Sequence, residues 1–222
     1  SRRIASGQEA EDPNIESVFG MPATSLVTRG CRKPASIKTH FLGRARGFSE
    51  LVISNSGMRL QAYPPNGNAI PAAVFLQSHE VLSSYHGYSA LWNRYAENMS
   101  RDGTIIDTVN LLGLPALRSL PKVLQDVCAN IERSIGGRIE IDEKEGRFYF
   151  VDGRDASVRI AIDMTAEGWR KIGQLLILLR NGAVAPGSIL IWDEPEANLN
   201  PRLEKVVAAL LIGLARAGVQ VF

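Results

Sequence analysis

The chain of 222 residues has 25 Lys and Arg against 23 Asp and Glu, a net charge of +2, and 45% hydrophobic residues. This length and apolar content suffice for one large or two small domains with a sizeable core. The balanced charge excludes a disordered charged tail and provides no overall attraction for nucleic acid. The longest aliphatic run, 175–179, is too short for a membrane span, so no membrane association is expected. Two distant cysteines, Cys31 and Cys128, favour a reducing, cytoplasmic compartment.

The first third of the chain predicts a linker, a small sheet and one buried strand. Residues 1–34 are polar and weakly patterned, which is typical of a linker with a short helix. Residues 35–72 contain three short strand-like stretches separated by glycine-containing turns and predict an antiparallel β-subdomain. The short apolar segment 73–77 predicts a core strand.

Residues 78–165 predict a mostly helical region that includes a β-hairpin over 138–151. Within it, apolar residues four apart predict a helix over 122–135, and a Gly-Gly pair ends that helix. The predicted buried face of this helix consists of Val123, Val127, Ile131 and Ile135.

The last third alternates strands and helices, which predicts parallel βαβ units and an α/β fold. Four consecutive apolar residues, 189–192, predict a central parallel strand that is covered on both faces. The predicted elements are a strand over 158–162, a helix over 166–181, a strand over 188–192, a helix over 201–217 and a final strand over 219–222.

Two carboxylates, Asp193 and Glu194, directly follow the apolar strand. Open α/β sheets bind ligands at the carboxyl ends of their strands. Adjacent carboxylates repel each other, so the pair needs a cation or a proton. In a nucleotide-hydrolysing site, Asp193 would hold Mg²⁺ and Glu194 would orient the attacking water. The alternative is a pair of exposed acids before a turn.

The residues after the acidic pair predict the start of a helix. Asn200 is a favourable N-cap, and Pro201 suits the first helical position. The predicted buried face of this helix consists of Leu203, Val206, Val207, Leu210, Leu211 and Leu214.

The sequence I-L-I-W-D-E-P-E-A-N-L-N-P, residues 189–201, resembles the Walker B strand and D-loop of ABC-type ATPases of the SMC/RecF-like branch. It is most similar to the AAA family ATPases of that branch, including the OLD-like ones. Those families carry a signature motif on the preceding helix, where this chain has residues 164–171, with Thr165 in place of serine, Gly168 matching and Glu167 replacing a glycine. The resemblance implies a P-loop NTPase head of ABC type. It would comprise a parallel core sheet with helices, the antiparallel β-subdomain 35–72 and a helical subdomain.

The resemblance also implies ligand contacts. Thr165, Glu167 and Gly168 would meet the γ-phosphate of ATP held by the other subunit, because free N–H groups and the positive dipole end of a helix favour anions. Gln77 takes the place of the Q-loop glutamine, which touches Mg²⁺ and links the nucleotide to the helical subdomain. Asn198 lies in the D-loop and would contact the nucleotide. The alternatives are an ordinary N-capped helix and a solvated Gln77 side chain.

An ATPase of this class also needs a phosphate-binding P-loop, Gly-x-x-x-x-Gly-Lys-Ser/Thr. The chain contains no Gly-Lys dipeptide, and it lacks the histidine that these families carry after the last strand. In the family the P-loop precedes the β-subdomain. We therefore expect a chain truncated at both ends, which by itself does not bind ATP strongly.

Three functions follow as hypotheses. The first is an ATPase subunit that sandwiches Mg²⁺-ATP in a homo- or heterodimer as a conformational switch. In the wider family such switches serve DNA repair and anti-phage defence, often with a nuclease or effector partner, although this composition does not support DNA binding. The second is a non-catalytic interaction module that has an ATPase-like scaffold without a P-loop. The third is a metal-dependent nuclease using Asp193 and Glu194, which would need further carboxylates.

Overall fold

The computed structural model gives the chain an α/β fold, with one parallel and two antiparallel sheets in the part of the chain that it describes. The structure describes residues 35–41, 47–54, 57–63, 72–95, 103–142 and 144–222. The linker predicted for residues 1–34 lies outside this set. None of the helices within these ranges is both long and apolar enough to cross a membrane.

Nine strands and five helices lie in the described part of the chain. The strands are β1 (Ala35–Phe41), β2 (Gly47–Ser54), β3 (Gly57–Tyr63), β4 (Ala73–Leu76), β5 (Gly137–Asp142), β6 (Arg147–Asp152), β7 (Arg159–Ala161), β8 (Ile189–Trp192) and β9 (Gln220–Val221). The helices are α1 (Tyr85–Tyr95), α2 (Gly103–Leu112), α3 (Lys122–Ile135), α4 (Glu167–Arg180) and α5 (Pro201–Arg216), with a 3-10 turn at Ile162–Met164.

The chain forms two compact units. The first contains β1, β2 and β3, which pair in that order as an antiparallel sheet. The strands predicted between residues 35 and 63 are therefore confirmed. The second unit contains the described residues from 72 onward except Gly103.

A parallel sheet of order β4-β8-β9 forms the centre of the second unit. In the register, Ala73 pairs with Ile189 and Leu76 pairs with Trp192, so β4 and β8 end at the same edge. The connection from β8 through α5 to β9 is a βαβ unit, so the predicted parallel pairing is confirmed for these two strands. It is wrong for the strand predicted over 158–162, because β7 pairs antiparallel with β6 in a separate sheet. The site residues that follow β4 and β8 consequently leave the sheet side by side.

One face of this parallel sheet is partly exposed among the described residues. Leu76 and Leu190 are fully buried on one side, whereas Phe75 and Ile191 on the other side are 40% and 41% exposed. The prediction that β8 is covered on both faces is therefore wrong for the described residues. A run of apolar residues indicates that a strand has two apolar faces, but it does not reveal what covers each of them.

The buried face of α3 differs from the predicted one. Val123 is 51% exposed, while Leu124 and Cys128 are buried together with Ile131 and Ile135. Successive steps of four residues turn the face by about 40° each time, because the helix has 3.6 residues per turn. The observed steps of four, three and four keep the apolar stripe on one side, where α3 packs against α4 and α5.

The predicted hairpin is confirmed as β5 and β6, which pair from Gly137 with Asp152 to Asp142 with Arg147. Phe148 and Phe150 are buried, and the ring of Tyr85 packs edge-on against Phe148 with centroids 4.9 Å apart. β7 extends this antiparallel sheet. Through these contacts the hairpin packs into the same core as α4.

Candidate functional site: the acidic edge of the parallel sheet

Gln77 and Asp193 are neighbours at the carboxyl edge of the parallel sheet. Leu76 pairs with Trp192, and the backbone N–H of Asp193 donates to the carbonyl of Leu76 at 2.9 Å. Each of the two site residues follows directly after its strand. The structure thus brings together Gln77 and the acidic pair, which lie more than a hundred residues apart in sequence. The carboxylates of Asp193 and Glu194 are both exposed at this edge.

Gln77 also reaches the helical region. Its Nε2 atom donates to Oγ1 of Thr104 on α2. Thr108, one turn further along α2, is buried and donates from its hydroxyl to the Thr104 carbonyl at 3.0 Å. Gln77 therefore connects the acidic edge to α2.

The turn after β8, residues 193–199, has an unusual backbone. Glu194 has φ +45° and Asn198 has φ +60°, both in the left-handed region that residues other than glycine rarely adopt. The N–H of Ala197 closes part of the turn by donating to the Glu194 carbonyl at 3.0 Å. Strained backbone of this kind clusters at functional sites, where surrounding contacts must hold it.

The helix start predicted after this turn is confirmed. The Oδ1 atom of Asn200 accepts hydrogen bonds from the N–H groups of Arg202 at 3.1 Å and Leu203 at 3.0 Å, and Pro201 is the first helical residue. Four of the six residues predicted for the buried face are buried, and Val206 and Leu211 are partly buried. The buried four are Leu203, Val207, Leu210 and Leu214.

Lys171 on α4 is hydrogen-bonded to the turn, and it was not identified from the sequence. The residue is 2% exposed, and its Nζ donates to the carbonyls of Glu194 at 3.2 Å and Ala197 at 2.8 Å. Burial lowers its pKa, while the nearby carboxylates of Glu167, Glu196 and Glu194 oppose that shift. The available signal was a cation within the otherwise mostly apolar stretch of α4.

The start of α4 has no side-chain cap. Ala166 occupies the N-cap position and makes no side-chain hydrogen bond, and the hydroxyl of Thr165 donates to the Ile162 carbonyl at 2.7 Å instead. The N-cap of the ordinary-helix interpretation is therefore wrong, whereas the helix does bury an apolar face that includes Ile172, Leu175, Leu176 and Leu179. The N–H groups of Trp169 and Arg170 donate to the Ala166 carbonyl at 3.0 and 3.2 Å. The N–H groups of Glu167 and Gly168 precede this hydrogen-bond pattern, and such groups favour an anion.

Gly168 is buried where α4 meets the turn and α5. A Cβ atom at this position would lie 2.8 Å from Cδ2 of Leu199 and 2.8 Å from Cδ1 of Leu203. The glycine therefore permits the close approach of α4 to the turn and the start of α5. This packing accounts for a small residue at position 168 without any ligand.

Glu167 and Asn198, predicted separately as nucleotide contacts, touch each other. The Oε1 atom of Glu167 accepts a hydrogen bond from Nδ2 of Asn198 at 3.1 Å, and Nδ1 of His79 lies 3.8 Å from the same oxygen. The Asn198 amide retains a second N–H and its carbonyl oxygen for other partners. The Glu167–Asn198 hydrogen bond is thus a second connection between α4 and the turn, in addition to the hydrogen bonds of Lys171.

The residues after Gln77 are also attached to α4. Glu80, whose side chain is 4% exposed, accepts a hydrogen bond from Nε of Arg170 at 2.7 Å. The backbone N–H of Val81 donates to Oε1 of the buried Gln174 at 2.9 Å. Arg170 further donates from Nη1 to the carbonyl of Thr165. Sequence reasoning missed these three contacts because each joins segments that are separated in sequence or by a turn.

The acidic edge has the donors that Mg²⁺ prefers. The Asp193 carboxylate and the Gln77 amide carbonyl are oxygen donors that emerge from adjacent strands. In the described ranges no group of three or more His, Cys, Asp or Glu side chains is placed to hold a metal ion by itself. Asp193 and Gln77 could therefore contribute two oxygen ligands to a magnesium site at this edge.

No protein-family model matches this sequence, and no curated protein sequence is significantly similar to it. The fold and the geometry of the acidic edge are therefore the observations from which we infer a function.

Proposed function

We propose that this chain carries the hydrolytic half-site of an ATP-hydrolysing head of ABC type, in which two protomers sandwich Mg²⁺-ATP. The observation that carries the proposal is the acidic edge itself. Asp193 and Glu194 follow the central parallel strand, Gln77 follows its neighbour, and an uncapped helix start follows the 3-10 turn on the same chain. The edge of a parallel sheet with paired carboxylates suits metal-assisted phosphoryl transfer.

The residues divide the chemistry among them. Bound Mg²⁺-ATP would supply the electrophilic phosphate and its charge compensation. Asp193, with Gln77 beside it, provides oxygen ligands for the metal ion. The exposed carboxylate of Glu194 accepts a hydrogen bond from the attacking water and orients it. The start of α4, at Glu167 and Gly168, offers N–H donors to the nucleotide of the partner protomer. The N–H and the hydroxyl of Thr165 both donate to the Ile162 carbonyl instead.

The proposal is tested by ATP turnover of the protein expressed from its complete gene. Glu194→Gln keeps the size of the side chain and removes its basicity. We expect kcat to fall about 100-fold or more, with ATP affinity and ATP-dependent dimerisation retained. Glu204→Gln, an exposed change in the first turn of α5, is the matched control and should leave kcat within twofold.

Two results would reject the proposal. One is turnover by Glu194→Gln at the wild-type rate, which removes the base assignment. The other is a wild-type protein that binds no ATP. Phosphate release and binding of a fluorescent ATP analogue, measured on the same preparations, separate these outcomes.

A second candidate function is a non-catalytic interaction module. It is favoured by the open apolar face at Phe75 and Ile191, together with the lack of any Gly-Lys dipeptide in the sequence. In this case the face would be covered by a partner protein, since both faces of a parallel sheet are normally buried. Phe75→Glu would then abolish complex formation, whereas Glu194→Gln would have no effect on it.

A further inference from the structure

Lys171 is a buried cation whose ammonium group extends from α4 into the turn after β8. Its residue exposure is 2%, and both acceptors of its Nζ are backbone carbonyls of that turn, those of Glu194 and Ala197. A buried ammonium group is destabilising unless hydrogen bonds compensate it. Both of these hydrogen bonds go to the turn after β8, which carries the predicted water-orienting carboxylate of Glu194.

The bond to Glu194 acts on the backbone that directs the carboxylate. The hydrogen bond from Lys171 holds the Glu194 carbonyl in one direction and thereby restrains ψ of Glu194. The φ angle of the same residue is +45°, in the strained left-handed region. Once both dihedral angles are fixed, the direction of the Cα–Cβ bond is fixed as well. The bond to Ala197 holds the same turn three residues later. An isolated turn with this backbone would relax to a less strained conformation.

Electrostatics favour a cation in this place. The carboxylates of Glu167, Glu194 and Glu196 are all near enough to stabilise the charged form of Lys171. Lys171 consequently offsets repulsion among acids that the turn and the start of α4 bring together. An apolar side chain of similar length would fill the space, but it would donate to neither carbonyl, and the Glu194 carbonyl would retain only the Ala197 N–H.

We propose that Lys171 is a positioning residue for hydrolysis, which holds the backbone of Glu194 so that its carboxylate faces the water at the acidic edge. This inference rests on the proposed function for its catalytic consequence. Its structural part, that Lys171 immobilises the turn, stands independently. Because Lys171 lies on the helix that begins beside Thr165, the brace also ties the phosphate-facing helix start to the hydrolytic carboxylate of the same protomer.

The test compares Lys171→Met, Lys171→Arg and the control Lys205→Met, an exposed lysine on α5. Two quantities are measured on the protein from its complete gene: amide hydrogen exchange of residues 193–199, and kcat and KM for ATP. Lys171→Met should raise exchange in the turn at least tenfold and lower kcat 10- to 100-fold, with KM within threefold. Lys171→Arg retains the donors and should recover at least half of the lost protection and kcat. Lys205→Met should change neither quantity.

Unchanged exchange of residues 193–199 in folded Lys171→Met would overturn the proposal. The proposal would also be overturned if the loss of kcat in Lys171→Met equalled the loss of folded protein and Lys171→Arg did not restore kcat. If Lys171→Met does not fold, the same measurements on Lys171→Gln decide, since its amide is too short to reach both carbonyls. A wild-type protein without ATP turnover would reject the proposed function, while the exchange data would still decide whether Lys171 holds the turn.

Discussion

The Nε atom of Arg170 donates to Oε1 of Glu80 at 2.7 Å, and the pair is mostly buried, with 18% and 4% of the two side chains exposed. The other carboxylate oxygen of Glu80 accepts from the N–H of Ser83 at 2.9 Å. Glu80 follows the Gln77 strand and Arg170 lies on the helix that braces the acidic turn. The ion pair thus joins the two segments that form the candidate site.

Removal of Arg170 should destabilise the fold strongly. Arg170→Met leaves the Glu80 carboxylate buried with only the Ser83 donors, and we expect a loss of about 3 kcal/mol in the free energy of unfolding. Arg138→Met is the matched control, because Arg138 and Glu140 are 41% and 40% exposed and such pairs contribute less than about 1 kcal/mol. Urea denaturation gives both values. Equal losses of unfolding free energy in the two variants would show that the Arg170–Glu80 pair contributes no more than an exposed ion pair.

A methyl group at Gly168 should be destabilising. The methyl group of Gly168→Ala would lie 2.8 Å from side-chain atoms of Leu199 and Leu203. The cost of this overpacking should outweigh the better helix propensity of alanine, so we expect the free energy of unfolding to fall by about 1 kcal/mol. Gly87→Ala on α1 is the control, since a Cβ there meets nothing within 4 Å and should stabilise by about 0.5–1 kcal/mol. Thermal unfolding of both variants measures the contrast. Equal changes in melting temperature for Gly168→Ala and Gly87→Ala would show that Leu199 and Leu203 make room for the methyl group without cost.

The stability of the protein should fall at alkaline pH because of Cys128. Burial raises the pKa of this thiol from 9.0 to about 11, and the Glu132 carboxylate also raises it while Arg180 opposes the shift. Between pH 9 and 11 the unfolded chain releases the thiol proton while the folded chain retains it, so the free energy of unfolding decreases with rising pH. Below pH 9 this contribution is fully present.

Cys128→Ala isolates that effect. Other groups titrate equally in both proteins, so the difference in free energy of unfolding between wild type and variant should shrink by about 1–2 kcal/mol from pH 8 to pH 10.5. Urea titrations across this range provide the measurement. A difference that stays constant with pH would show that the folded thiol ionises as readily as the unfolded one.

The segment from β8 to α5 was predictable because its signals are local. An apolar strand, a turn, an Asn cap and a Pro at the first helical position occupy consecutive residues, and the structure has each of them in place. Gln77 was predicted from its place after an apolar strand, and the parallel register explains why it lies beside Asp193. Its role as a nucleotide ligand stays a prediction.

The remainder depends on tertiary contacts that no local pattern specifies. Lysine is normally a surface residue, and only the three-dimensional position of the turn shows why Lys171 is buried. Val123 and Leu124 are both apolar neighbours, and only the packing of α3 on α4 and α5 decides which is buried. The open side of β8 likewise depends on what packs against the sheet.

The backbone of Glu194 has a consequence for laboratory evolution. A left-handed conformation disfavours every side chain that has a Cβ by about 1 kcal/mol, whereas glycine adopts φ +45° without strain. A library screened only for heat resistance should therefore enrich glycine at position 194. A library screened for a function that needs the carboxylate should retain glutamate there, at a lower melting temperature.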